Sequence, residues 1–532
     1  MSVQRSAMTW VSAFVRAVIG AAFGLAIVVP AASAAAPAPP AQDPFYTYSG
    51  NLGQVAPGTV LKERTVTIDS LAAAPTPLPA IQLLFRTTDQ LGHPALAVTT
   101  VIEPVSSSAP PKIFSYQAYY DTLGSQCDPS YELQGGPDTF PTSPSDCEQD
   151  GQEEGMIAET FLSEGATVVI TDYEQTNEAY ADGPASGYAT LDGIRAAETQ
   201  LGYSPSSTPV EMLGYSGGAT ASEWAAELAA KYSPELDIVA TAAGGVLADV
   251  EQTLQYINGG GSGWADVLPV FEFAAERGFD INVTPYLSSL GEQVMAADQN
   301  AYIDDLVGGF NYMQQLLKPQ YADFTQVPAF ARMLAALDMG QGTPNAPIFL
   351  GNGEGVLANG YDGDGVMVTT AVTALAEKYC KEGVPVEYQE YPGLSHVEAA
   401  GPFLAYAIPY LLARFQGGPA VSNCSAIETG TAPNVYPSGS TCNSSSTTGS
   451  CTASWSADVT GWYWGFTTGT WELQQLKCTF GNSNCSWETT ASGGAGPFAS
   501  APGTLGAGNV YQVVVDGEGE AAIGSWTGTG PA

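Results

Sequence analysis

Histidine and basic side chains are scarce in this chain. It holds two histidines in 532 residues, and 15 Lys and Arg stand against 54 Asp and Glu, which gives a formal charge of −39. Phosphate backbones and anionic headgroups repel a protein this acidic, so nucleic acid is not predicted as a partner. Because no C-x-x-C pair accompanies the two histidines, no zinc site is predicted, and no other metal or cofactor is expected.

Long apolar runs are missing beyond the N-terminus. There, the run AVIGAAFGLAIVV follows a segment with Arg5 and Arg16 and precedes a small-residue site that ends at Ala34. The run is shorter than the roughly 20 residues that a membrane helix needs. The pattern predicts a secretory signal peptide over 1–34, and therefore a secreted protein with no transmembrane segment in its mature form.

The cysteines agree with export. Eight are present, and an even number in an exported protein indicates disulfides. The pairs predicted from their positions are Cys127–Cys147, Cys380–Cys424, Cys442–Cys451 and Cys478–Cys485.

The order of strand-like and helix-like segments predicts an α/β fold. The runs TVLKERTVTI, IQLLFRT and ALAVTTVIEP follow one another directly, whereas later runs such as ATVVITDY and PVEMLGYS alternate with helical stretches. Consecutive strands followed by such alternation indicate a mixed, mostly parallel sheet with helices on both faces. After a Pro/Ala linker at 35–44, this domain is predicted to span 45–425.

A helical insertion is predicted at about 250–342, between the runs LDIVATAAGG and APIFLGNG. Within it, YIDDLVGGFNYMQQLL has the apolar face of one helix, because apolar residues recur at spacings of three and four. These residues are Tyr302, Ile303, Leu306, Val307, Phe310, Met313, Leu316 and Leu317. The face is either packed inside a structural cap or belongs to a lid over an apolar site, and the insertion as a whole favours a lid.

The composition changes near the C-terminus, where a linker over 426–441 precedes a small all-β module over 442–532. Six of the nine tryptophans lie in this module. In TGWYWGFT, Trp462 and Trp464 fall on one face of a strand. They form either the core of the module or an exposed platform for sugar rings, and the core is the commoner place for large aromatic residues.

The motif Gly214-Tyr215-Ser216-Gly217-Gly218 has the spacing G-x-S-x-G. An apolar run ending at Leu213 precedes it and the alanine-rich segment ATASEWAAELAAKY follows, which places it on a strand–turn–helix connection. In this context the outer glycines permit a sharp turn, and the N–H of Gly217 can face a developing oxyanion. The motif predicts Ser216 as a nucleophile.

A serine nucleophile needs a base, and the chain offers His93 and His396. His93 lies in an early polar turn, whereas His396 follows the last strand-like run, where an α/β-hydrolase carries its base. The acid that orients the base should lie between Ser216 and His396, and Asp362 and Asp364 both satisfy this condition. Asp364 is favoured because it directly precedes a Gly-Val-Met run that would re-enter packed structure.

Several segments together resemble the secretory lipase family of fungi and their bacterial relatives. They are YQAYYDTLGSQCDPSY at 116–131, VVITDYE at 168–174, LDGIRAAE at 191–198, GYSGGATASEWAA at 214–226, and DGVM at 364–367 with YPGLSHV at 391–397. The similarity covers about residues 45–425. It implies an α/β-hydrolase with a helical lid.

The resemblance also implies site residues. Ser216 would be the nucleophile, Asp364 the acid and His396 the base, in agreement with the motifs. The backbone N–H groups of Asp121 and Gly217 would form the oxyanion hole, and Asp121 is implied by the resemblance alone.

Two positions depart from the family pattern. Gln175 follows the DYE triplet where the family usually has glycine, and Val368 stands where it usually has proline. Both lie near loops that could reshape the substrate pocket.

The predicted function is that of a secreted serine ester hydrolase. The first hypothesis is a lipase that cleaves acylglycerols or similar acyl esters through an acyl-enzyme, at a lipid–water interface. The alternative is an esterase for acylated polysaccharides, with Trp462 and Trp464 as a carbohydrate anchor. A non-catalytic binding protein of the same fold would not need nucleophile, acid and base together.

Overall fold

The structure is a computed structural model that describes residues 36–68, 78–104, 109–137, 146–306 and 308–427, together with strand segments between 441 and 526. The predicted signal peptide and most of the linker over 426–441 lie outside the described residues. So do the side chains of Trp462 and Trp464.

A mixed sheet forms the centre of the fold. In chain order the strands of this part are β1 (Val60–Ile68), β2 (Leu78–Thr88), β3 (Pro94–Ile102), β4 (Ile113–Gln117), β5 (Thr167–Thr171), β6 (Pro209–Tyr215), β7 (Asp237–Gly244), β8 (Ile348–Glu354), β9 (Val356–Ala358), β10 (Tyr361–Gly363) and β11 (Val386–Pro392). Nine of them form one sheet in the order β1-β2-β3-β5-β4-β6-β7-β8-β11, and β9 pairs with β10 separately. Pairing is antiparallel from β1 to β5 and parallel from there to β11. The predicted α/β class is confirmed.

The helices connect the strands and build the insertion. They are α1 (Pro129–Glu132), α2 (Asp146–Ser163), α3 (Gly183–Leu201), α4 (Gly217–Tyr232), α5 (Val250–Ile257), α6 (Val270–Arg277), α7 (Ser289–Asp298), α8 (Met313–Leu316), α9 (Pro328–Leu337), α10 (Thr369–Lys381), α11 (His396–Phe415) and α12 (Cys424–Ile427).

Helices lie on both faces of the sheet, as β4 shows. Phe114 stacks on Phe161 of α2, whereas Gln117 contacts Ser222 of α4 at 2.7 Å. Positions 114 and 117 are an odd number of residues apart, so their side chains point to opposite faces of the strand. The inner strands β4 and β5 are buried along their whole length, as expected for parallel strands that are covered on both faces.

The insertion between β7 and β8 has a core of its own, and we call it the lid. Its helices α5, α6, α7 and α9 bring together apolar side chains that include Leu254, Leu268, Phe271, Phe330 and Met333. The predicted helical lid is therefore confirmed as part of the fold.

The prediction of one helix along YIDDLVGGFNYMQQLL is wrong. The segment contains a 3₁₀ turn at Ile303–Asp305 and the single helical turn of α8, with Gly308 and Gly309 between them. Gly309 has φ +103°, a backbone conformation that no right-handed helix contains. The apolar spacing was real, since Phe310 and Met313 are buried in the lid core, but the two glycines interrupt the helix.

Two of the predicted disulfides are confirmed. Cys127 is bonded to Cys147, and Cys380 to Cys424, with Cα–Cα distances of 5.5 and 5.4 Å. The second bond joins α10 to α12, at the end of the domain. Among the described residues, no helix has the length and apolar character needed to cross a membrane.

The C-terminal strands form a sheet separate from the first. They are β12 (Thr441–Ser444), β13 (Thr448–Ser454), β14 (Gly461–Thr479), β15 (Asn484–Ser500), β16 (Val510–Asp516) and β17 (Gly524–Trp526), and they give a six-stranded sheet. Cys442 pairs in register with Cys451, and Cys478 with Cys485. Disulfides at these two places, and an independent module here, stay predictions.

Candidate active site

Ser216 stands at the turn between β6 and α4, in a backbone conformation of φ 57° and ψ −120°. Such a positive φ is strained for a residue with a side chain, and strained backbone of this kind is concentrated at functional sites. The turn is sharp because its neighbours approach closely: a Cβ at Gly214 would collide with the carbonyl of Gly218, and one at Gly218 with the carbonyl of Gln117. The glycines of the motif are thus required by packing, as predicted.

A continuous hydrogen-bond chain connects Ser216, His396 and Asp364. His396 Nε2 lies 2.8 Å from Ser216 Oγ, and Nδ1 lies 2.7 Å from Asp364 Oδ2. The other oxygen of Asp364 accepts N–H bonds from Val366 and Met367 at 2.9 and 2.7 Å. Asp364 is fully buried and His396 nearly so, which keeps bulk water from competing for these bonds.

The two alternatives weighed from the sequence lie elsewhere. Asp362 is exposed on β10, and its carboxylate has no contact with His396. His93 is exposed and pairs with Asp89 at 3.3 Å in the turn between β2 and β3. Of the acids and bases weighed from the sequence, the structure therefore brings Asp364 and His396 to Ser216.

Neighbours that the sequence did not point to fix the ring of His396. Its backbone N–H donates to the carbonyl of Asp364 at 2.6 Å, and its own carbonyl accepts a bond from Tyr215 Oη at 2.5 Å. Trp264 of the lid presents its ring edge-on, with centroids 5.9 Å apart. Tyr215 belongs to the serine motif, but Trp264 has no signal in the sequence because it reaches the site only through the fold.

Asp121 and Gly217 lie side by side next to Ser216. Gly217 is the first residue of α4, so its N–H has no acceptor within the helix. A Cβ at position 217 would collide with the carboxyl of Asp121. The structure thus places the backbone segments of the two predicted oxyanion donors together at the cavity that contains Ser216.

The carboxyl group of Asp121 is itself unusual. It is buried, and burial raises its pKa to about 7, although the charge of His396 and a hydrogen bond from Tyr180 act in the opposite direction. This carboxyl group therefore changes its protonation state near neutral pH.

A cavity of about 180 Å³ extends from Ser216 into the lid. Ser216, His396 and Asp121 lie at one end of it. The wall in the lid is mostly apolar, with Thr253 among side chains that include Val250, Leu254, Trp264, Phe271, Met333 and Leu337. An apolar group of a substrate can lie in the lid while its polar, reactive part lies at Ser216.

Buried carboxyl groups gather behind the site, and sequence reasoning missed them. We call Asp128, Asp172, Glu174 and Glu178 the carboxyl cluster. Burial raises the pKa of Asp172 to about 7 and that of Glu178 to about 8. The pKa values of Asp128 and Glu174 are raised well above the usual range, first by burial and then by neighbouring carboxylates. The acid-rich segment DYEQTNEAYAD is the only sequence signal that could have drawn attention to it.

The two departures from the family pattern have local explanations. Gln175 has φ 65°, the left-handed region that favours glycine. Its side chain offsets the strain, because Nε2 donates to the carbonyls of Thr88 and Ala185 at 2.9 and 3.0 Å. Val368 is buried at the N-cap of α10 with φ −87°, close to the value that proline requires.

No metal centre is found in the parts of the chain that the structure describes. Within those ranges, no three His, Cys, Asp or Glu side chains are grouped so that they could hold a metal ion.

Comparisons with known proteins point to one family. Residues 145–423 match the family model of the secretory lipases. Lipase A of Arthroderma benhamiae is 32% identical over 66% of this chain and 75% of its own length. A Mycobacterium tuberculosis protein described as a "probable inactive lipase" is 29% identical over 71% of this chain and 83% of its own length. Among solved structures, Candida antarctica lipase A in its closed state aligns with a TM-score of 0.64 at 26% identity, over 75% of this chain and 95% of that one.

Proposed function

Since this chain belongs to the secretory lipase family, we propose that it cleaves acylglycerols by way of an acyl-enzyme on Ser216. Family membership makes it a lipase-type ester hydrolase. The observation that carries the proposed mechanism is the hydrogen-bond chain from Ser216 through His396 to Asp364.

Acylation begins when Ser216 Oγ attacks the acyl carbonyl carbon and its proton passes to His396 Nε2. The carbonyl electrons move to oxygen, and the N–H groups of Gly217 and Asp121 stabilise the oxyanion. As the intermediate collapses, the bond to the alcohol breaks and the alcohol leaves with the proton from Nε2. Water then repeats the sequence on the acyl-enzyme and releases the fatty acid and free Ser216.

Asp364 acts through His396. Its Oδ2 holds Nδ1–H, which leaves Nε2 unprotonated and directed at Ser216 Oγ. The N–H bonds from Val366 and Met367 support the ionised carboxylate in a buried position.

The apolar cavity supports an acyl group as the part of the substrate held in the lid. Its wall in the lid consists mostly of aliphatic and aromatic side chains, which favour the transfer of methylene groups from water. Acylglycerols also aggregate, so we propose that the enzyme meets them at a lipid–water interface.

The central test is Ser216→Ala, measured with p-nitrophenyl butyrate. We expect turnover to fall to the level of the uncatalysed reaction with an unchanged melting temperature, because the side chain is replaced by a smaller one at a partly buried turn. Ser206→Ala is the matched control, since Ser206 is exposed on a loop. Turnover retained in Ser216→Ala would rule out this mechanism.

A second candidate is an esterase for acylated polysaccharides, with Trp462 and Trp464 as a carbohydrate anchor. It is supported by the six-stranded C-terminal sheet, which lies beyond the family match at 145–423. Long-chain triglyceride and acetylated xylan, offered to the full chain at equal ester concentration, separate the two candidates. We expect fatty acid release to exceed acetate release, and the opposite result would favour the esterase.

We also propose an extracellular location. It is supported by the secretory lipase family and by the disulfides Cys127–Cys147 and Cys380–Cys424, since such bonds persist in oxidising compartments. Expression in a native-like host should give esterase activity in the medium, and activity confined to the cells would contradict this location.

A further inference from the structure

The loop that carries Asp121 is held by different parts of the molecule on its two sides. We call residues 119–124 the oxyanion loop. On the side of the sheet, Tyr173 Oη donates to the carbonyl of Ala118 at 2.6 Å. The N–H of Glu174 donates to Tyr120 Oη at 2.7 Å. These bonds fix the backbone just before Asp121 to the segment that follows β5.

From Asp121 onward, the oxyanion loop is bonded to the lid. The N–H of Ile303 donates to the carbonyl of Asp121 at 3.1 Å, and the N–H of Leu123 donates to the carbonyl of Ala301 at 2.8 Å. Between them, Thr122 and Tyr302 form an antiparallel bridge. The lid therefore adds a short strand pairing to the loop directly at the proposed oxyanion donor.

Arg277, in the last turn of lid helix α6, joins these segments. Its guanidinium donates to the carbonyl of Leu123 at 2.8 Å, to that of Glu178 at 2.9 Å and to that of Gln299 at 2.6 Å. These carbonyls belong to the oxyanion loop, to the segment after β5 and to the lid, respectively. A planar donor with a fixed geometry sets the distances between three backbones in a way that a flexible ammonium does not.

Packing and charge around Arg277 reinforce this arrangement. Leu123 packs in a small apolar cluster with Val270, Phe273, Ala301 and Leu306, all four from the lid. The guanidinium lies over the ring of Phe273, 5.0 Å from its centroid. Burial lowers the pKa of Arg277, and the neighbouring carboxyl groups of Glu178 and Glu174 act in the opposite direction.

We propose that Arg277 is a positioning residue for ester hydrolysis, which holds the oxyanion loop between sheet and lid so that the Asp121 N–H faces the acyl carbonyl. The lid is then part of the support of the oxyanion hole as well as the wall of the acyl cavity. If the lid moved away from the oxyanion loop, the Asp121 N–H would no longer be held near the acyl carbonyl. The inference rests on the proposed function, since it needs the Ser216 mechanism and the oxyanion role of Asp121.

The test compares Arg277→Met and Arg277→Lys with the same substitution at Arg332, an exposed residue of lid helix α9. Turnover of p-nitrophenyl butyrate is normalised to active sites titrated with a fluorophosphonate, so that unfolded protein does not count. In Arg277→Met we expect kcat to fall roughly 10-fold with KM within about 2-fold, less than the 10²–10³ lost when an oxyanion donor is removed outright. Arg332→Met should match the unaltered chain.

Inhibition by a trifluoromethyl ketone provides a second measurement, which would not change if Arg277 had only a structural role. The ketone forms an oxyanion on Ser216, so its inhibition constant in Arg277→Met should rise by the factor by which kcat/KM falls. Arg277→Lys retains the charge beside Glu178 but cannot span the three carbonyls, and we expect it to resemble Arg277→Met. Normal kcat per titrated site in Arg277→Met, or in Arg277→Lys, would overturn the inference.

Failure of the inference can be told from failure of the proposed function. If Ser216→Ala is inactive and the Arg277 variants are normal per site, only the positioning role is lost. If Ser216→Ala retains turnover, the proposed mechanism is wrong, and the inference is overturned with it because it requires an oxyanion formed on Ser216.

Discussion

Asp364 and the carboxyl cluster are both buried carboxyl groups of one domain, but their surroundings differ. Asp364 accepts N–H bonds from Val366 and Met367 and one from the His396 ring. In the cluster, Asp128 and Glu178 form a hydrogen bond between two carboxyl groups, and each has further acidic neighbours. N–H donors favour the ionised form, whereas a carboxyl–carboxyl bond requires at least one proton.

The difference shows that position in the fold decides what a buried acid does. A carboxylate with three donors can orient an imidazole, which is what the proposed mechanism asks of Asp364. A buried carboxyl group whose donors do not offset its burial keeps its proton to a higher pH, and its ionisation in alkali then destabilises the fold. Hydrogen bonds from Ser130 lower the pKa of Asp172, a backbone hydrogen bond from Thr122 lowers that of Glu174, and Arg277 lowers that of Glu178, but burial outweighs each of these effects.

The largest expected effect comes from removing the charge of Asp364. In Asp364→Asn the amide can no longer select the Nε2-unprotonated tautomer of His396, so we expect kcat to fall roughly 10³- to 10⁴-fold. Initial rates with p-nitrophenyl butyrate measure it. Asp362→Asn, two residues away and exposed, should remain within about 2-fold of the unaltered chain under the same mechanism. Comparable losses in both variants would contradict the assignment of Asp364.

The second prediction concerns the pH dependence of stability. Unfolded Asp and Glu titrate near pH 4, whereas burial raises the pKa of Asp172 to about 7 and that of Glu178 to about 8. Below about pH 4 both states hold these protons and the stability is full. Between about 4 and 8 the unfolded chain releases protons that the folded chain retains, so the free energy of unfolding falls as pH rises.

Asp128→Asn should weaken this dependence. The Asn amide donates to Glu178 at every pH, which removes the need for a shared proton. Melting temperatures at pH 5 and pH 8 should therefore differ less in Asp128→Asn than in the unaltered chain, by a few degrees. Glu63→Gln, on the exposed side of β1, is the matched control and should leave the difference unchanged. If the melting temperature fell equally from pH 5 to pH 8 in Asp128→Asn, Glu63→Gln and the unaltered chain, the carboxyl cluster would not control alkaline stability.

A single buried carboxyl group in the lid should make a smaller contribution to the same pH dependence of stability, and it can be tested with one substitution. Glu272 of α6 is buried, and neither carboxyl oxygen has a partner among the described residues. Burial raises its pKa to about 8, so between about pH 4 and 8 the unfolded chain releases a proton that the folded chain retains, and the free energy of unfolding falls. Glu272→Gln should raise the melting temperature at pH 8 relative to the unaltered chain while it changes little at pH 5. A gain of the same size at both pH values would mean that charge is not the cause.

The site residues were open to prediction from sequence to different degrees. Ser216 and His396 carry local signals, a strand–turn–helix motif and a position after the last strand, and both signals survive in the fold. Asp121 had no signal of its own and came only from family resemblance, because its place depends on how the loop after β4 meets α4. Trp264 and Arg277 reach the site from the lid. Nothing in the local sequence predicts how the lid packs on the rest of the domain.

Prediction of the fold from the sequence succeeded where the sequence patterns are local. It failed where a few residues override those patterns. Strands such as β5 and β6 are short runs rich in apolar residues, and the structure has them where the sequence predicts them. The helix expected over 302–317 had the correct apolar spacing, yet Gly308 and Gly309 interrupt it. The carboxyl cluster was missed for a related reason: acidic residues usually lie at the surface, and their burial results from tertiary packing.

The smallest expected effect is that of Gln175→Gly, in the segment between Glu174 and Glu178. Glycine relieves the left-handed strain at φ 65°, worth about 1 kcal/mol. It also removes the side-chain bonds to Thr88 and Ala185, each worth about 1 kcal/mol. The balance is a loss of about 1 kcal/mol in the free energy of unfolding, which denaturant titration measures. Gln175→Ala, which keeps the strain and loses both bonds, should lose about 1 kcal/mol more, and a more stable Gln175→Ala would show that the backbone strain is not real.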